Sequence, residues 1–182
     1  GEVVVPNVGI NPTRTGFFAA VARMGGRIEV DNARESGGEP VGDLIARPAR
    51  LKGIEVGGQE IPSMIDELPV LAVLAARAEG ETVVRGAEEL RAKESDRIRV
   101  MVENLRAIGV EAEELPDGFI VRGSDRPLAG RVLTHHDHRI AMAFGVLAAL
   151  PGADLEIEAP EIVDVSFPGF WQTDRGLGGR DA

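Results

Sequence analysis

One local pattern recurs along this sequence: a predicted helix ends at a glycine, and in most copies a strand-like run follows. The segment FFAAVARMGGR (17–27) aligns with FWQTDRGLGGR (170–180), and LRAIGVE (105–111) ends a third helix in the same way. Glycine suits the position after a helix because it adopts the left-handed conformation without a Cβ clash. Two further helices run into a glycine and then a strand, in AEGETVV (78–84) and LPGADLEI (150–157). About three unequally spaced copies of a helix–strand unit predict a layered or pseudo-symmetric α/β fold rather than a regular solenoid.

Apolar spacing predicts helices and short strands in alternation along the chain. The third helix has the clearest pattern, because Ile98, Met101, Val102, Leu105 and Ile108 fall on one of its faces. The predicted helices are Thr15–Met24, Leu68–Ala78, Ile98–Ile108, Ile140–Leu150 and Phe170–Leu177. The predicted strands are Val3–Val5, Arg27–Val30, Leu44–Arg47, Ile54–Val56, Thr82–Val84, Val110–Glu113, Phe119–Val121, Arg131–Leu133 and Asp154–Ile157.

Composition narrows the classes of function. The chain has 182 residues, of which 43% are hydrophobic and 27% charged, as in a globular protein long enough to bury a core. The absence of cysteine excludes disulfides, thiolate catalysis and cysteine-based zinc sites, and it fits a cytoplasmic protein. A net charge of −10 argues against nucleic-acid binding, and no apolar run is long enough for a membrane helix. The start at Gly1 without Met suggests that the chain is part of a longer polypeptide.

Four segments place unusual polar groups at predicted helix starts. A helix start presents free N–H groups and the positive end of the helix dipole, so it is a natural binding place for anions. An arginine at such a position experiences a small repulsion, which a nearby anion would offset. The four segments are NPTRTG (11–16), SMIDELP (63–69), AKESDR (92–97) and THHDHR (134–139).

In the first two segments, a structural role competes with a functional one. Asn11 or Thr13 can cap the first helix. Arg14 is then either a surface arginine, which is slightly favoured, or a ligand for a carboxylate or phosphate. Asp66 precedes the apolar run LPVLAVLAA, whose proline suits a first helical turn. Asp66 is therefore either a plain N-cap or a general base at the edge of a buried helix.

The segment AKESDR also supports two interpretations. Ser95 can cap the following helix, and the cluster is then an ordinary solvated helix start. Alternatively, Lys93 and Arg97 clamp an anion, while Glu94 transfers protons beside it.

The segment THHDHR contains three histidines and an aspartate, which suggests a metal site at first sight. The metal interpretation is disfavoured, because neighbouring residues cannot all face one ion and the chain has no HExxH motif. Asp137 is expected to cap the following helix instead, with Arg139 available for an anionic ligand. If the four helix starts converge, their side chains favour acid–base chemistry on a multiply anionic small molecule, without metal, cofactor, nucleotide or covalent nucleophile.

Five motifs, taken in order and spacing, resemble the C-terminal half of the 5-enolpyruvylshikimate-3-phosphate synthases: NPTRTG, SMIDELPVLAVLAA, KESDR, DHRIAMAFGVLA and VSFPGFW. The resemblance spans nearly the whole chain. It implies an α/β fold with a pseudo-threefold repeat of β-α-β-α-β-β units, an inside-out α/β barrel that forms one domain of the enolpyruvyl transferase fold. Residues 1–182 would be a single domain, most of the C-terminal domain, and the N-terminal domain would be absent from this chain.

The resemblance also implies a reaction of the shikimate pathway of aromatic amino acid biosynthesis. The enolpyruvyl group of phosphoenolpyruvate moves to the 5-hydroxyl of shikimate 3-phosphate, and phosphate is released. Asp66 is the implied base for the hydroxyl proton, and Glu94 the implied acid–base group for the methylene carbon of phosphoenolpyruvate. The lysine of KESDR is an implied contact on the shikimate phosphate side, and the arginines of KESDR and DHR would bind phosphoenolpyruvate. The substrate-binding residues implied in this way are Lys93, Arg97, Asp137, His138 and Arg139.

One departure from the family pattern concerns the phosphoenolpyruvate site, since many members carry a lysine where this chain has Val165. The sequences of the motifs NPTRTG, SMIDE and KESDR are more similar to the bacterial subclass associated with glyphosate tolerance than to other family members. Glyphosate tolerance is therefore a hypothesis. The family's other cationic contacts lie in the N-terminal domain, which the acidic charge of this chain would require as a positive partner. The chain alone is therefore expected to fold but to turn over little or no substrate.

Two alternatives remain open from the sequence. A UDP-N-acetylglucosamine enolpyruvyl transferase shares the fold, although KESDR and DHR favour the shikimate enzyme. A domain without catalytic activity would instead bind a phosphorylated small molecule or pack against a partner.

Overall fold

The computed structural model describes residues 1–177. Within them, every predicted helix and strand is present in the predicted order. The helices are α1 (Gly16–Arg23), α2 (Leu68–Ala75), α3 (Arg97–Ala107), α4 (His138–Ala148) and α5 (Phe170–Gly176). The strands are β1 (Val3–Gly9), β2 (Arg27–Ser36), β3 (Glu39–Arg47), β4 (Glu55–Val56), β5 (Glu81–Val84), β6 (Glu111–Leu115), β7 (Gly118–Arg122), β8 (Ala129–Val132) and β9 (Asp154–Ile157).

Strands β2 and β3 are much longer than the apolar pattern predicts. They form one antiparallel hairpin that closes at Gly37 and Gly38, both with positive φ. Positive φ at two successive residues is the geometry of a tight hairpin turn, and glycine adopts it without strain. The outer part of β2 has the sequence DNARES and is exposed. This part of the strand therefore lacks the alternation of apolar and polar residues by which a strand is predicted from sequence.

The middle of the chain forms one complete β-α-β-α-β-β unit. Strands β4 and β5 are parallel and are connected through α2. Helix α3 then leads to the β6–β7 hairpin, and β7 pairs antiparallel with β5. The resulting four-stranded sheet has the order β4-β5-β7-β6.

The two other sheets repeat complementary parts of this unit. The first sheet, β1-β3-β2, matches β5-β7-β6, with α1 in the position of α3. The third sheet contains the parallel pair β8 and β9, which α4 connects as α2 connects β4 and β5. Gly25 and Gly109 adopt the predicted left-handed conformation after α1 and α3. The corresponding glycines after α5 lie outside the described residues.

The core is built around α2 and α4, which contact each other. Helix α2 is apolar on every side, and α4 buries Ile140, Phe144 and Leu147. Helix α5 closes over α4 at Gly145, where an added Cβ would lie 2.8 Å from the Trp171 ring. No helix within residues 1–177 combines the length and apolar character that a membrane span needs.

Candidate active site

Asp66 lies in a short 3-10 turn directly before α2. Two 3-10 turns, Gly58–Ser63 and Ile65–Glu67, precede α2, and Asp66 lies in the second. The residue at the N-cap of α2 is Glu67, whose side chain makes no capping bond. The interpretation of Asp66 as a plain N-cap is therefore wrong, because the extra turn moves its carboxylate away from the free N–H groups of α2.

Helix α3 is capped by Asp96 rather than by Ser95. The Asp96 carboxylate accepts the backbone N–H of Arg99 at 3.1 Å, and it also accepts hydrogen bonds from Arg91. A carboxylate at this position gains from the helix dipole in addition to the capping bond. Ser95 instead donates its hydroxyl to Asp137 at 3.0 Å, so its predicted capping role is wrong.

Helix α4 is capped by Asp137, as predicted: its Oδ1 accepts the backbone N–H of Arg139 at 3.0 Å. The two residues before it, His135 and His136, both have positive φ, and this turn brings Asp137 into a fully buried position. Burial raises the pKa of Asp137, but hydrogen bonds from Arg97, Ser95 and the Arg139 N–H, with the charge of Arg97, outweigh it. The pKa of Asp137 therefore lies below its ordinary value, and the group is an anion.

The start of α1 differs from the prediction in two ways. Asn11 accepts the backbone N–H of Thr13 at 3.1 Å, so it caps the 3-10 turn Pro12–Arg14 rather than α1 itself. Arg14 is 57% exposed, yet its Nη2 lies 3.6 Å from Asp66 Oδ2 and 3.5 Å from Glu67 Oε1. Arg14 is thus exposed, as the slightly favoured interpretation expects, but it also lies within ion-pair distance of two carboxylates.

Three arginines from three helix starts surround the Asp66 carboxylate. Arg97 Nη1 lies 3.6 Å from Asp66 Oδ1, and Arg139 Nη2 lies 3.4 Å from Asp66 Oδ2. Arg139 also donates from Nη1 to the backbone oxygen of Asp66 at 3.2 Å. Within residues 1–177, the Asp66 carboxylate accepts no hydrogen bond, although an arginine lies within ion-pair distance of each of its oxygens. Its oxygens are thus available to accept a proton from another group.

Arg97 is held rigidly, since only 1% of its side chain is exposed. Its Nε donates to Asp137 Oδ2 at 2.8 Å, and its Nη2 donates to Glu94 Oε2 and to Asp137 Oδ1. A buried guanidinium requires such partners, because an unpaired charge in the interior is strongly unfavourable. Its remaining nitrogen, Nη1, is directed at Asp66.

The predicted site residues do not all join this cluster. Asp66, Glu94, Arg97, Asp137 and Arg139 form one connected set of ion pairs. The lysine of KESDR, Lys93, pairs with Glu89 at 2.5 Å and makes no hydrogen bond or ion pair with the cluster. The side chain of His138 is half-buried and has no hydrogen-bond partner among residues 1–177.

Two residues of the site were missed by the sequence reasoning. Ser95 supports the buried Asp137, and Glu67 shares Arg14 with Asp66. Both lie next to predicted site residues, but adjacency in sequence does not show where a side chain points.

The three His residues of THHDHR do not form a metal cluster. The described part of the chain brings no three His, Asp or Glu side chains together around a possible ion.

Comparison with known proteins gives one consistent family. A profile described as EPSP synthase (3-phosphoshikimate 1-carboxyvinyltransferase) matches residues 1–173. The 3-phosphoshikimate 1-carboxyvinyltransferase of Desulfitobacterium hafniense is 49% identical over 170 residues, which are 93% of this chain and 39% of that protein. The corresponding protein of Aquifex aeolicus is 48% identical over 173 residues, which are 94% and 40% of the two chains. This chain therefore spans about two fifths of the length of these curated relatives.

Solved structures agree with the sequence comparison. EPSP synthase from Acinetobacter baumannii superposes with a TM-score of 0.88 at 40% identity, covering 98% of this chain and 42% of that one. The enolpyruvyl transferase NikO from Streptomyces tendae superposes with a TM-score of 0.68 at 24% identity, covering 98% and 39%, a likeness that shows the fold alone. These neighbours confirm the predicted α/β enolpyruvyl transferase fold.

Proposed function

The chain belongs to the EPSP synthase family, and on that premise we propose that it supplies one half of the active site of a 3-phosphoshikimate 1-carboxyvinyltransferase. The complete enzyme would join phosphoenolpyruvate to shikimate 3-phosphate and release phosphate. One observation carries this proposal: the Asp66 carboxylate lies between Arg97 and Arg139, with charge partners but without hydrogen bonds from residues 1–177. A proton acceptor beside two anion-binding groups is the arrangement that this reaction requires.

Arg97 and Arg139 are the proposed ligands of phosphoenolpyruvate. Arg97 Nη1 and Arg139 Nη2 both face the same carboxylate at ion-pair rather than hydrogen-bond geometry. An incoming carboxylate or phosphate group can therefore be bound without breaking the bonds that fix Arg97 to Asp137. Because guanidinium groups match carboxylate and phosphate oxygens in shape, both groups suit a ligand that carries both kinds of anion.

Asp66 is the proposed general base. It accepts the proton of the 5-hydroxyl of shikimate 3-phosphate while that oxygen bonds to C2 of phosphoenolpyruvate. Glu94 is the proposed acid–base group: it protonates C3 and later removes a proton from it as the C–O bond to phosphate breaks. Glu94 is half-exposed and bound to Arg97, so it borders the same space as Asp66. Loss of phosphate from C2 together with a proton from C3 restores the C2=C3 double bond and leaves the enolpyruvyl group on the shikimate oxygen.

The test is phosphate release from phosphoenolpyruvate and shikimate 3-phosphate. The chain is assayed alone and after mixing with the N-terminal part of the Desulfitobacterium hafniense relative. We expect activity only in the mixture, with losses of at least about a hundredfold in Asp66→Asn and Glu94→Gln, the scale of general acid–base catalysis. Glu111→Gln is the matched control, since Glu111 also pairs with an arginine but lies away from the cluster.

Three results would contradict the proposal. Turnover by the chain alone would show that no second half is needed. Equal losses in Glu94→Gln and Glu111→Gln would remove the catalytic role of Glu94. If the mixture binds shikimate 3-phosphate but never releases phosphate, a binding domain without catalysis becomes the better description.

The other residues of the motifs complete the proposal. Lys93 would contact the phosphate side of shikimate 3-phosphate once that ligand displaces Glu89. Asp137 would act by holding Arg97, and His138 would border the substrate. The partner is the N-terminal domain of the same enzyme, and a cytoplasmic location stays a prediction.

Glyphosate tolerance is the remaining hypothesis about the site. It is supported by Val165, which is 75% exposed where many family members have a lysine, so a cation is absent at that position. We expect the assembled enzyme to resist glyphosate and Val165→Lys to be inhibited more strongly. Inhibition of the unmodified mixture at micromolar glyphosate would contradict tolerance.

A further inference from the structure

The geometry around Arg14 points to a role that the reaction scheme above does not assign. Its Nη2 lies between two neighbouring carboxylates, 3.6 Å from Asp66 Oδ2 and 3.5 Å from Glu67 Oε1. The other oxygen of Glu67, Oε2, is buried and has no hydrogen-bond partner in the described part of the chain. Adjacent like charges on one turn repel each other, so a cation placed between them stabilises both.

The backbone that carries Arg14 is fixed relative to the turn that carries Asp66. Gly16, two residues after Arg14, packs so closely on Ser63 that an added Cβ would lie 2.0 Å from Ser63 Oγ. Asn11 caps the turn of Arg14 and donates to Glu39 at 3.0 Å, which ties the turn to the β2–β3 hairpin. Arg14 therefore approaches Asp66 from a supported position, although its side chain is exposed.

Arg14 differs from the two other arginines in what it can do during the reaction. Under the proposed function, Arg97 and Arg139 bind the anionic substrate, and their attraction for Asp66 then weakens. Arg14 shares Oδ2 of Asp66 with Arg139, but it lies on the Glu67 side of the carboxylate. It is thus the cation that stays with Asp66 when the substrate occupies the other two.

We propose that Arg14 is a positioning residue that, together with Glu67, holds the Asp66 carboxylate in the orientation required for proton transfer. This inference rests on the proposed function, in which Asp66 is the general base. It assigns no contact between Arg14 and the substrate. It requires that the effect of Arg14 pass through Asp66 alone. That requirement distinguishes it from a direct binding role and from a purely structural one.

The experiment uses the active mixture of this chain with the relative's N-terminal part. We expect Arg14→Gln to lower kcat about tenfold, a fraction of what a general base contributes, with KM for both substrates changed less than about twofold. Arg14→Lys should recover part of the loss. Arg23→Gln is the matched control, since Arg23 is another exposed arginine that pairs with a glutamate, Glu60, at 2.8 Å, and its kcat should be unchanged.

The decisive comparison is made in the Asp66→Asn background. Arg14→Gln should cause no further loss there, because the group that it positions is already absent. An additive loss, or an Arg14→Gln enzyme that behaves like Arg23→Gln, overturns the inference. If the unmodified mixture shows no turnover, the proposed function fails, and a crystal structure of Arg14→Gln tests the inference separately. An Asp66 carboxylate that keeps its orientation in that structure overturns it.

Discussion

Asp137 and Arg97 form the most deeply buried ion pair of the site, with 0% and 1% of their side chains exposed. Burial of either charge alone would be strongly unfavourable, so each depends on the other. Ser95 and the N–H of Arg139 satisfy the remaining oxygen positions of Asp137. At the residue scale, one buried carboxylate, Asp137, therefore holds Arg97 in place within the cluster.

Replacement of Asp137 by Asn tests this dependence. Asp137→Asn leaves the Arg97 charge buried without a full partner, and we expect the free energy of unfolding to fall by about 3–5 kcal/mol. Urea unfolding of the chain measures the change. Asp125→Asn, at an exposed position, should change it little, and equal effects of the two substitutions would contradict the assignment.

The same pair predicts a pH dependence. The folded pKa of Asp137 lies below its ordinary value of 3.8. Its stabilising contribution is therefore complete above about pH 4 and is lost as the pH falls through the folded pKa. The difference in unfolding free energy between the unmodified chain and Asp137→Asn should shrink below pH 3.8. A difference that stays constant down to pH 2 would contradict the ionic origin of the stabilisation.

Asn104 connects two elements that the site requires. It lies on the buried face of α3, donates from Nδ2 to the Leu133 oxygen at 2.9 Å, and accepts the Leu133 N–H at 2.8 Å. Leu133 directly follows β8 and begins the turn that leads to Asp137. At the element scale, one amide side chain thus links α3, which carries Arg97, to the chain that carries its partner.

Replacement of Asn104 by Leu should loosen this link. The change keeps the side-chain volume roughly similar but leaves the N–H and oxygen of Leu133 without their protein partner, at a cost of about 1–3 kcal/mol in unfolding free energy. Hydrogen exchange at the Leu133 amide should become faster. Glu103→Leu, on the exposed side of the same helix, is the control. Unchanged exchange at Leu133 would show that the link is not needed.

The three sheets together contain one complete unit and two complementary parts of it. In the complete unit, β5 pairs on one side with β7 and on the other with the parallel strand β4. The equivalent strand β1 pairs only with β3 among the described residues, and Val4, Val5 and Val30 of its sheet are about half exposed. At the scale of the whole molecule, this sheet therefore combines an open edge at β1 with exposed apolar side chains.

Addition of the N-terminal part of a curated relative should protect this sheet. We expect amide exchange in β1 to slow in the mixture, because a strand or helix that covers the sheet also shields its backbone. Strand β7, which pairs on both sides, is the internal control and should not change. Restored enzyme activity with unaltered exchange in β1 would show that the second half binds elsewhere.

Much of the fold follows from short-range signals. The apolar period predicted the order of the five α-helices and nine strands of residues 1–177 but not the 3-10 turns, and Gly25 and Gly109 end their helices as expected. The long β2–β3 hairpin was missed because its outer residues are polar on both faces. Capping was predicted correctly for Asp137 but wrongly for Ser95, since two adjacent residues can both cap and only the tertiary partner of Ser95 decides between them.

The sequence by itself determined the order of the α-helices and strands, the family motifs and the residue types of the site, because these depend on neighbours along the chain. Only the tertiary structure decided how the site is assembled. Arg14, Asp66, Arg97 and Arg139 are far apart in sequence, and their distances of 3.4–3.6 Å depend on how α1, α2, α3 and α4 pack. Packing of side chains across elements is a long-range property, so no local pattern could show that three arginines share one carboxylate.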